Sequence, residues 1–170
     1  MVLFDIAKNT SKTDTALLKY HSLYHEICNR YPTYHSVFTD GSKTDDKVTS
    51  AAVFTHTHKL LTRRLPANAS VYSAELYAIL LALQHIPKTR YHSHIVFSDS
   101  MSSLQAIASP GTVHPMVTDI ILRYDSLCNN NHTIIFCWIP GHTGIKGNFE
   151  ADSCKVCLHF TNYSHPTSSF

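Results

Sequence analysis

Charge is scarce in this chain. Only 15% of its 170 residues are Asp, Glu, Lys or Arg, and 14 cations against 12 anions leave a formal net charge of +2. That balance excludes a basic coat able to hold nucleic acid by electrostatics alone, and by itself it names no partner. Long apolar runs are missing as well. Glu75, His85 and Asp99 interrupt the longest of them before the roughly 18 residues that span a bilayer, and the start MVLFD lacks the basic segment of a secretory leader. Neither membrane insertion nor secretion is indicated, and an intracellular protein is expected. The five cysteines, at 28, 128, 137, 154 and 157, are odd in number and lack the spacing of a disulfide framework. Cys128 and Cys137 stand in apolar contexts typical of buried free thiols, which fits a reducing compartment. Internal repeats and low-complexity tracts are also absent.

What is present is enough apolar material, 44% of the residues, for one well-filled core, in a chain too short for two. A single domain, acting as a monomer, is expected. Residues 14–29 carry Ala16, Tyr20, Leu23, Tyr24 and Ile27 at helical spacing, ahead of Tyr31-Pro32. This predicts an N-terminal helical extension or linker over 1–34. Three β-rich runs follow, at 35–40 (stopped by Gly41), 49–56 and 59–65, and read as an antiparallel meander. Helical periodicity then returns at 73–85, 100–108, 116–128 and from Asn148 to about 159, with buried strands at 94–99 and 133–139. Three hairpin-like strands followed by alternating helices and strands predict an α/β fold. Its expected form is a five-stranded mixed sheet, three antiparallel strands then two parallel, flanked by helices. The main domain is expected over 35–159, with a flexible tail at 160–170.

Carboxylates fall at the ends of these elements. Asp40 closes the first strand, Asp99 closes the fourth, Glu75 lies in the first turns of a helix, and Asp152 lies near the start of the last. Groups at the carboxyl ends of neighbouring strands converge on one crevice, and helices packed over that end can project into it. Clustered like charges raise each other's pKa and destabilise the fold until a cation arrives. An all-oxygen donor set selects Mg²⁺, or Mn²⁺ in its place, and two such ions can hold a phosphodiester and activate water. Each acid has an ordinary alternative: Asp before Gly41 is a common turn residue, and Asp99 before a helix is a common N-cap.

The blocks FTDGSKT (38–44), SAELYAILLAL (73–83), VFSDSMSSLQAI (96–107) and WIPGHTGIKGNFEAD (138–152) resemble, in order and spacing, the four motif blocks of a type 1 ribonuclease H. The resemblance runs over about residues 36–158 and is closest to the version carried by non-LTR retrotransposons downstream of a reverse transcriptase. It implies a ribonuclease H-like fold and hydrolysis of the RNA strand of RNA/DNA hybrids with two Mg²⁺ ions. In that pattern Asp40, Glu75, Asp99 and Asp152 are the metal ligands, and Asp40 bridges both ions. His142, on the glycine-containing loop from Gly141 to Gly147, assists proton transfer or product release, a task suited to an imidazole. Asn148 matches a contact to the scissile phosphate or nearby backbone, or alternatively caps its helix. Gly41 and Ser42 match residues that approach the RNA strand, where a ribose 2′-OH distinguishes RNA from DNA. Ser73 joins this set or caps the helix.

Several positions depart from that pattern. Val71 and Tyr72 stand where some relatives carry asparagines before the helix glutamate. The stretch between Met101 and Thr133 has no Lys/Trp-rich protrusion, which predicts weak stand-alone binding. Phe149 replaces a frequent acid. Glu150 rivals Asp152 as fourth ligand, since the two differ by about 200° around a helix, and the resemblance favours Asp152. The pair Cys154 and Cys157, with His159, lacks the second pair that zinc requires. The competing class is a catalytically silent nucleic-acid-binding module of the same fold, or a transposase-like relative acting on DNA.

Overall fold

The computed structural model describes residues 1–8, 17–45, 47–109, 111 and 114–157. The tail read at 160–170, and His159, lie outside them, as do the side chains of Cys154 and Cys157.

Among the described residues six strands form one mixed sheet in the order β1-β6-β5-β2-β3-β4. They are β1 (Val2–Leu3), β2 (His35–Lys43), β3 (Val48–Phe54), β4 (Lys59–Leu65), β5 (Ser93–Ser98) and β6 (Thr133–Trp138). The meander β2-β3-β4 is antiparallel, and β5 and β6 add to it in parallel. The count of five strands is therefore corrected to six. The sixth, β1, lies parallel to β6, where the Phe136 N–H donates to the Met1 carbonyl at 2.9 Å. Two residues are too few for alternation to reveal a strand, and a very short strand leaves little open edge.

The first meander strand is also longer than the reading that ended it at Gly41. β2 continues through Gly41 to Lys43, pairing Gly41 with Ser50 and Ser42 with Thr49. Gly41 does not break the strand; it marks a close approach to a helix. Asp40 is thus a mid-strand residue opposite Ala51 rather than a turn residue.

Among the described residues six α-helices complete the fold: α1 (Asp5–Lys8), α2 (Leu17–Arg30), α3 (Val71–His85), α4 (Met101–Ala108), α5 (Pro115–Asn129) and α6 (Lys146–Cys157). Phe38 of β2 and Phe97 of β5 stack at 5.0 Å, and Tyr24 of α2 meets Phe97 at 5.3 Å. Each buried aromatic of this kind contributes about 1.5–3 kcal/mol by leaving water. Ile6, Tyr20 and Ile27 belong to the same core, so the N-terminal helices and the sheet share one interior. Cys128 corrects the sequence reading: it is an exposed free thiol in the last turn of α5, beside buried Leu127, whereas Cys137 is buried. Burial in apolar surroundings pushes the Cys137 thiol up to about 12, leaving it inert at neutral pH. Among the described residues, no helix is long and apolar enough to cross a membrane.

Candidate active site

Strand register brings the first two acids together. β2 and β5 run parallel, with Thr39 opposite Ser98 as their last pair. Asp40 and Asp99 each follow one step beyond it. Ser98 is in turn opposite Trp138 of β6, and the chain then leaves the sheet at Pro140-Gly141. The loop bearing His142 therefore emerges on the same end of the sheet. The backbone of Asp99 is fixed from two sides: its carbonyl accepts from Trp138 Nε1 at 3.1 Å and from the Met101 N–H at 3.1 Å. Helix α4 starts at Met101 with Ser100 in the N-cap position. Asp99 is consequently not its cap, and it lines the cleft at this end of the sheet.

Glu75 arrives from α3. A Cβ on Gly41 would stand 2.3 Å from the Glu75 nitrogen, so the helix rests directly on the strand backbone. The Ser50 hydroxyl donates to the Ala74 carbonyl at 2.7 Å and fixes the helix against β3. The helix begins at Val71, two residues before the predicted start, and its N-cap is Ser70, whose Oγ accepts from the Ser73 N–H at 3.0 Å. The capping role weighed for Ser73 belongs to Ser70. Ser73 is a half-buried residue of the first turn, its hydroxyl 3.0 Å from that of Ser70.

The outcome is a compact acidic cluster. One oxygen from each of Asp40, Glu75 and Asp99 lies within 4.8 Å of the others. Asp40 is 4% exposed and Glu75 8%. Three hard oxygen donors converging at partly covered positions fit a divalent cation such as Mg²⁺. Gly141 bounds this cluster, because a Cβ there would come within 2.5 Å of Asp99 Oδ2. A cleft of about 310 Å³ opens over Glu75 and Asp99 and is walled by Tyr72, Trp138 and His142.

Asp152 stands outside the triad, with its Oδ2 3.3 Å from His142 Nδ1. The His142 side chain is 81% exposed and that of Asp152 30%. Glu150 lines a different cavity, with His21 and Tyr24 of α2. Of the two acids on α6, Asp152 is the one that pairs with His142. Helix α6 sits hard on the sheet because Gly147 has no side chain, and a Cβ there would enter the Phe38 ring. Asn148 is the third residue of α6, which starts at Lys146, and so is not its N-cap. It is buried, and its Oδ1 has no hydrogen-bond partner among the described residues. Ser42 is half-buried two residues beyond Asp40, while Gly41 is buried beneath α3.

Sequence reasoning missed three contributors. Trp138 reads as a strand residue, yet its indole fixes Asp99. Tyr72 lines the cleft and meets His114 edge-on at 5.5 Å. His21 donates from Nε2 to the Thr143 carbonyl at 2.8 Å, which ties α2 to the His142 loop. Only Tyr72 carried a local signal, by standing where asparagine occurs in related chains. The other two act across 39 and 122 positions, beyond the reach of any periodicity.

Residues 32–156 match the family model described as RNase H. With that match covering most of the 170 residues, and an acidic triad at the end of its mixed sheet, the chain belongs to the RNase H family.

Proposed function

We propose that this chain is an endonuclease that hydrolyses the RNA strand of RNA/DNA hybrids. The observation that carries the reading is the convergence of Asp40, Glu75 and Asp99 within 4.8 Å in a chain of this family. In this reading the three carboxylates, joined by Asp152, would hold two Mg²⁺ ions, with Mn²⁺ as substitute. Bound there, the ions supply charge neutralisation at a phosphodiester and acidify water.

The chain's own groups do the rest. Asp152 accepts from His142 and orients the imidazole, which handles a proton near the cleft mouth. Gly141 leaves room for the Asp99 carboxylate, and Trp138 holds the Asp99 backbone at the end of β5. Ser42 and Ser73, both half-buried hydroxyls, are the proposed readers of the ribose 2′-OH, with Asn148 at the nearby phosphate. Tyr72 takes the place of an amide contact. Gly41 serves the substrate side indirectly, through the tight seating of α3 on β2.

The four motif blocks further support descent from a retrotransposon polyprotein in which a reverse transcriptase is the partner domain. The domain is taken to be a monomer, with 35–159 as the nuclease unit, 1–34 as the N-terminal extension, and an intracellular site of action.

The test is an end-labelled RNA/DNA hybrid incubated with protein and Mg²⁺, beside matched single-stranded RNA and duplex DNA. Cleavage confined to the RNA of the hybrid is expected. Cleavage of the DNA duplex would favour the transposase-like reading, and binding without cleavage the silent module.

A further inference from the structure

Helix α2 lies outside the segment matched by the RNase H family, which begins at residue 32. It nevertheless touches the loop that carries His142. His21 Nε2 lies 2.8 Å from the Thr143 carbonyl oxygen in a partly buried contact. A carbonyl can only accept, so the hydrogen on Nε2 belongs to His21, which is the donor.

The loop has need of such support. His142 and Gly144 both adopt left-handed backbone conformations, with φ of 58° and 79°. For a residue with a side chain this is a disfavoured region that persists only when the surroundings hold it. Thr143 lies between them and is 9% exposed, and its hydroxyl donates to the Pro140 carbonyl at 3.0 Å. That bond closes the loop on itself, and the His21 bond fastens it to another element. The His142 side chain is 81% exposed and gains little from packing. Its place beside Asp152 is therefore set mainly through its backbone. The brace itself is anchored in the core: Tyr20 is 3% exposed, Ile27 2%, and Tyr24 packs on Phe97.

We propose that His21 is a positioning residue, and that through its bond to Thr143 helix α2 holds the loop in the conformation that sets His142 beside Asp152. The catalytic part of this proposal rests on the nuclease reading above. The structural part does not.

The experiment uses the full chain with His21→Ala, His21→Gln, His142→Ala and the His21→Ala/His142→Ala pair. Amide hydrogen exchange over residues 141–147 needs no activity. In His21→Ala it should accelerate about five- to tenfold, the equivalent of one lost hydrogen bond, while exchange in the sheet strands stays unchanged. Gln, which keeps an N–H donor, should restore slow exchange. On an RNA/DNA hybrid with Mg²⁺, His21→Ala should lower kcat by a similar factor with KM within about twofold. In the His142→Ala background the same substitution should add nothing further, because the two act as one unit.

Unchanged loop exchange in a folded His21→Ala protein would overturn the brace. An equal loss of kcat in the His142→Ala background would overturn the route through His142. If the wild-type chain cleaves no hybrid, the nuclease reading falls while the exchange measurement still decides the brace.

Discussion

Gly41 and Glu75 are in backbone contact: a Cβ on the glycine would lie 2.3 Å from the glutamate nitrogen and 2.5 Å from the Ala74 carbonyl carbon. Both atoms belong to the main chain of α3 and cannot step aside singly. Gly41→Ala must therefore push the helix off β2. A loss of about 1–3 kcal/mol in urea unfolding is expected from overpacking, together with loss of hybrid cleavage as Glu75 moves away from Asp40 and Asp99. Wild-type stability in Gly41→Ala would contradict this packing.

Gly141→Ala separates site geometry from stability. The atom its Cβ would meet is Asp99 Oδ2, the far end of a side chain, at 2.5 Å. The carboxylate can rotate away, so the melting temperature should change by no more than about 2 °C, within the range of a surface substitution. Cleavage should fall at least about tenfold because one proposed cation ligand is displaced. Paired measurements of melting and kcat on the same sample check this.

Cations and stability should be linked. Mg²⁺ that binds only the folded chain raises its stability by about 2.7 kcal/mol when present at a hundredfold excess over Kd. Asp40→Asn removes one of three clustered acids. Thermal unfolding of this variant without Mg²⁺ should occur at or above the wild-type temperature, and most of the Mg²⁺-induced rise should vanish. A full rise in Asp40→Asn would mean that the stabilising cation binds elsewhere.

At the opposite end of β5 a histidine cluster predicts acid lability. His94 is fully buried, its Nδ1 without a hydrogen-bond partner among the described residues, and Thr89 Oγ1 lies 3.4 Å from its Nε2. Burial first, then the nearby His35, His132 and His92, lower its pKa to about 4. His35 is lowered in the same direction by burial, His56 and Arg90. The unfolded chain, with His near 6.5, binds protons that folded His94 refuses, so stability is full above about pH 6.5 and declines as pH falls toward 4. The loss attributable to His94 is on the order of 3 kcal/mol. Urea midpoints across that range should fall steeply for wild type and less steeply for His94→Leu. Parallel curves would remove His94 as the source.

Much of this fold was legible because its signals are local. The spacing of Leu76, Ile79, Leu80 and Leu83 marked α3, and the run from 59 to 65 marked β4 at its observed bounds. Four acids read at element ends indicated where a site would form; the parallel register of β2 on β5 carries Asp40 and Asp99 together, although Asp40 lies within β2 rather than at its end. Other features depend on contacts distant in sequence. Val2 and Leu3 are a strand only because Phe136 is there to pair with, and Gly41 looked like a strand terminator because its helix contact lies 34 positions away in the chain. Ser70 rather than Ser73 caps α3 because the helix starts a half-turn earlier than its apolar face. His21 belongs to a helix that periodicity detects, but its hydrogen bond to Thr143 is set by how α2 docks.

The most direct measurement of the central claim is the initial rate of hybrid cleavage as Mg²⁺ is titrated, for wild type, Asp40→Asn and Asp99→Asn, with each variant's folding verified by circular dichroism. Cation-dependent cleavage of the RNA strand by wild type is expected, with a loss of at least about a thousandfold in each folded variant, as for removal of a central electrostatic element. Cleavage by either variant at the wild-type rate and with the same Mg²⁺ dependence would contradict the claim.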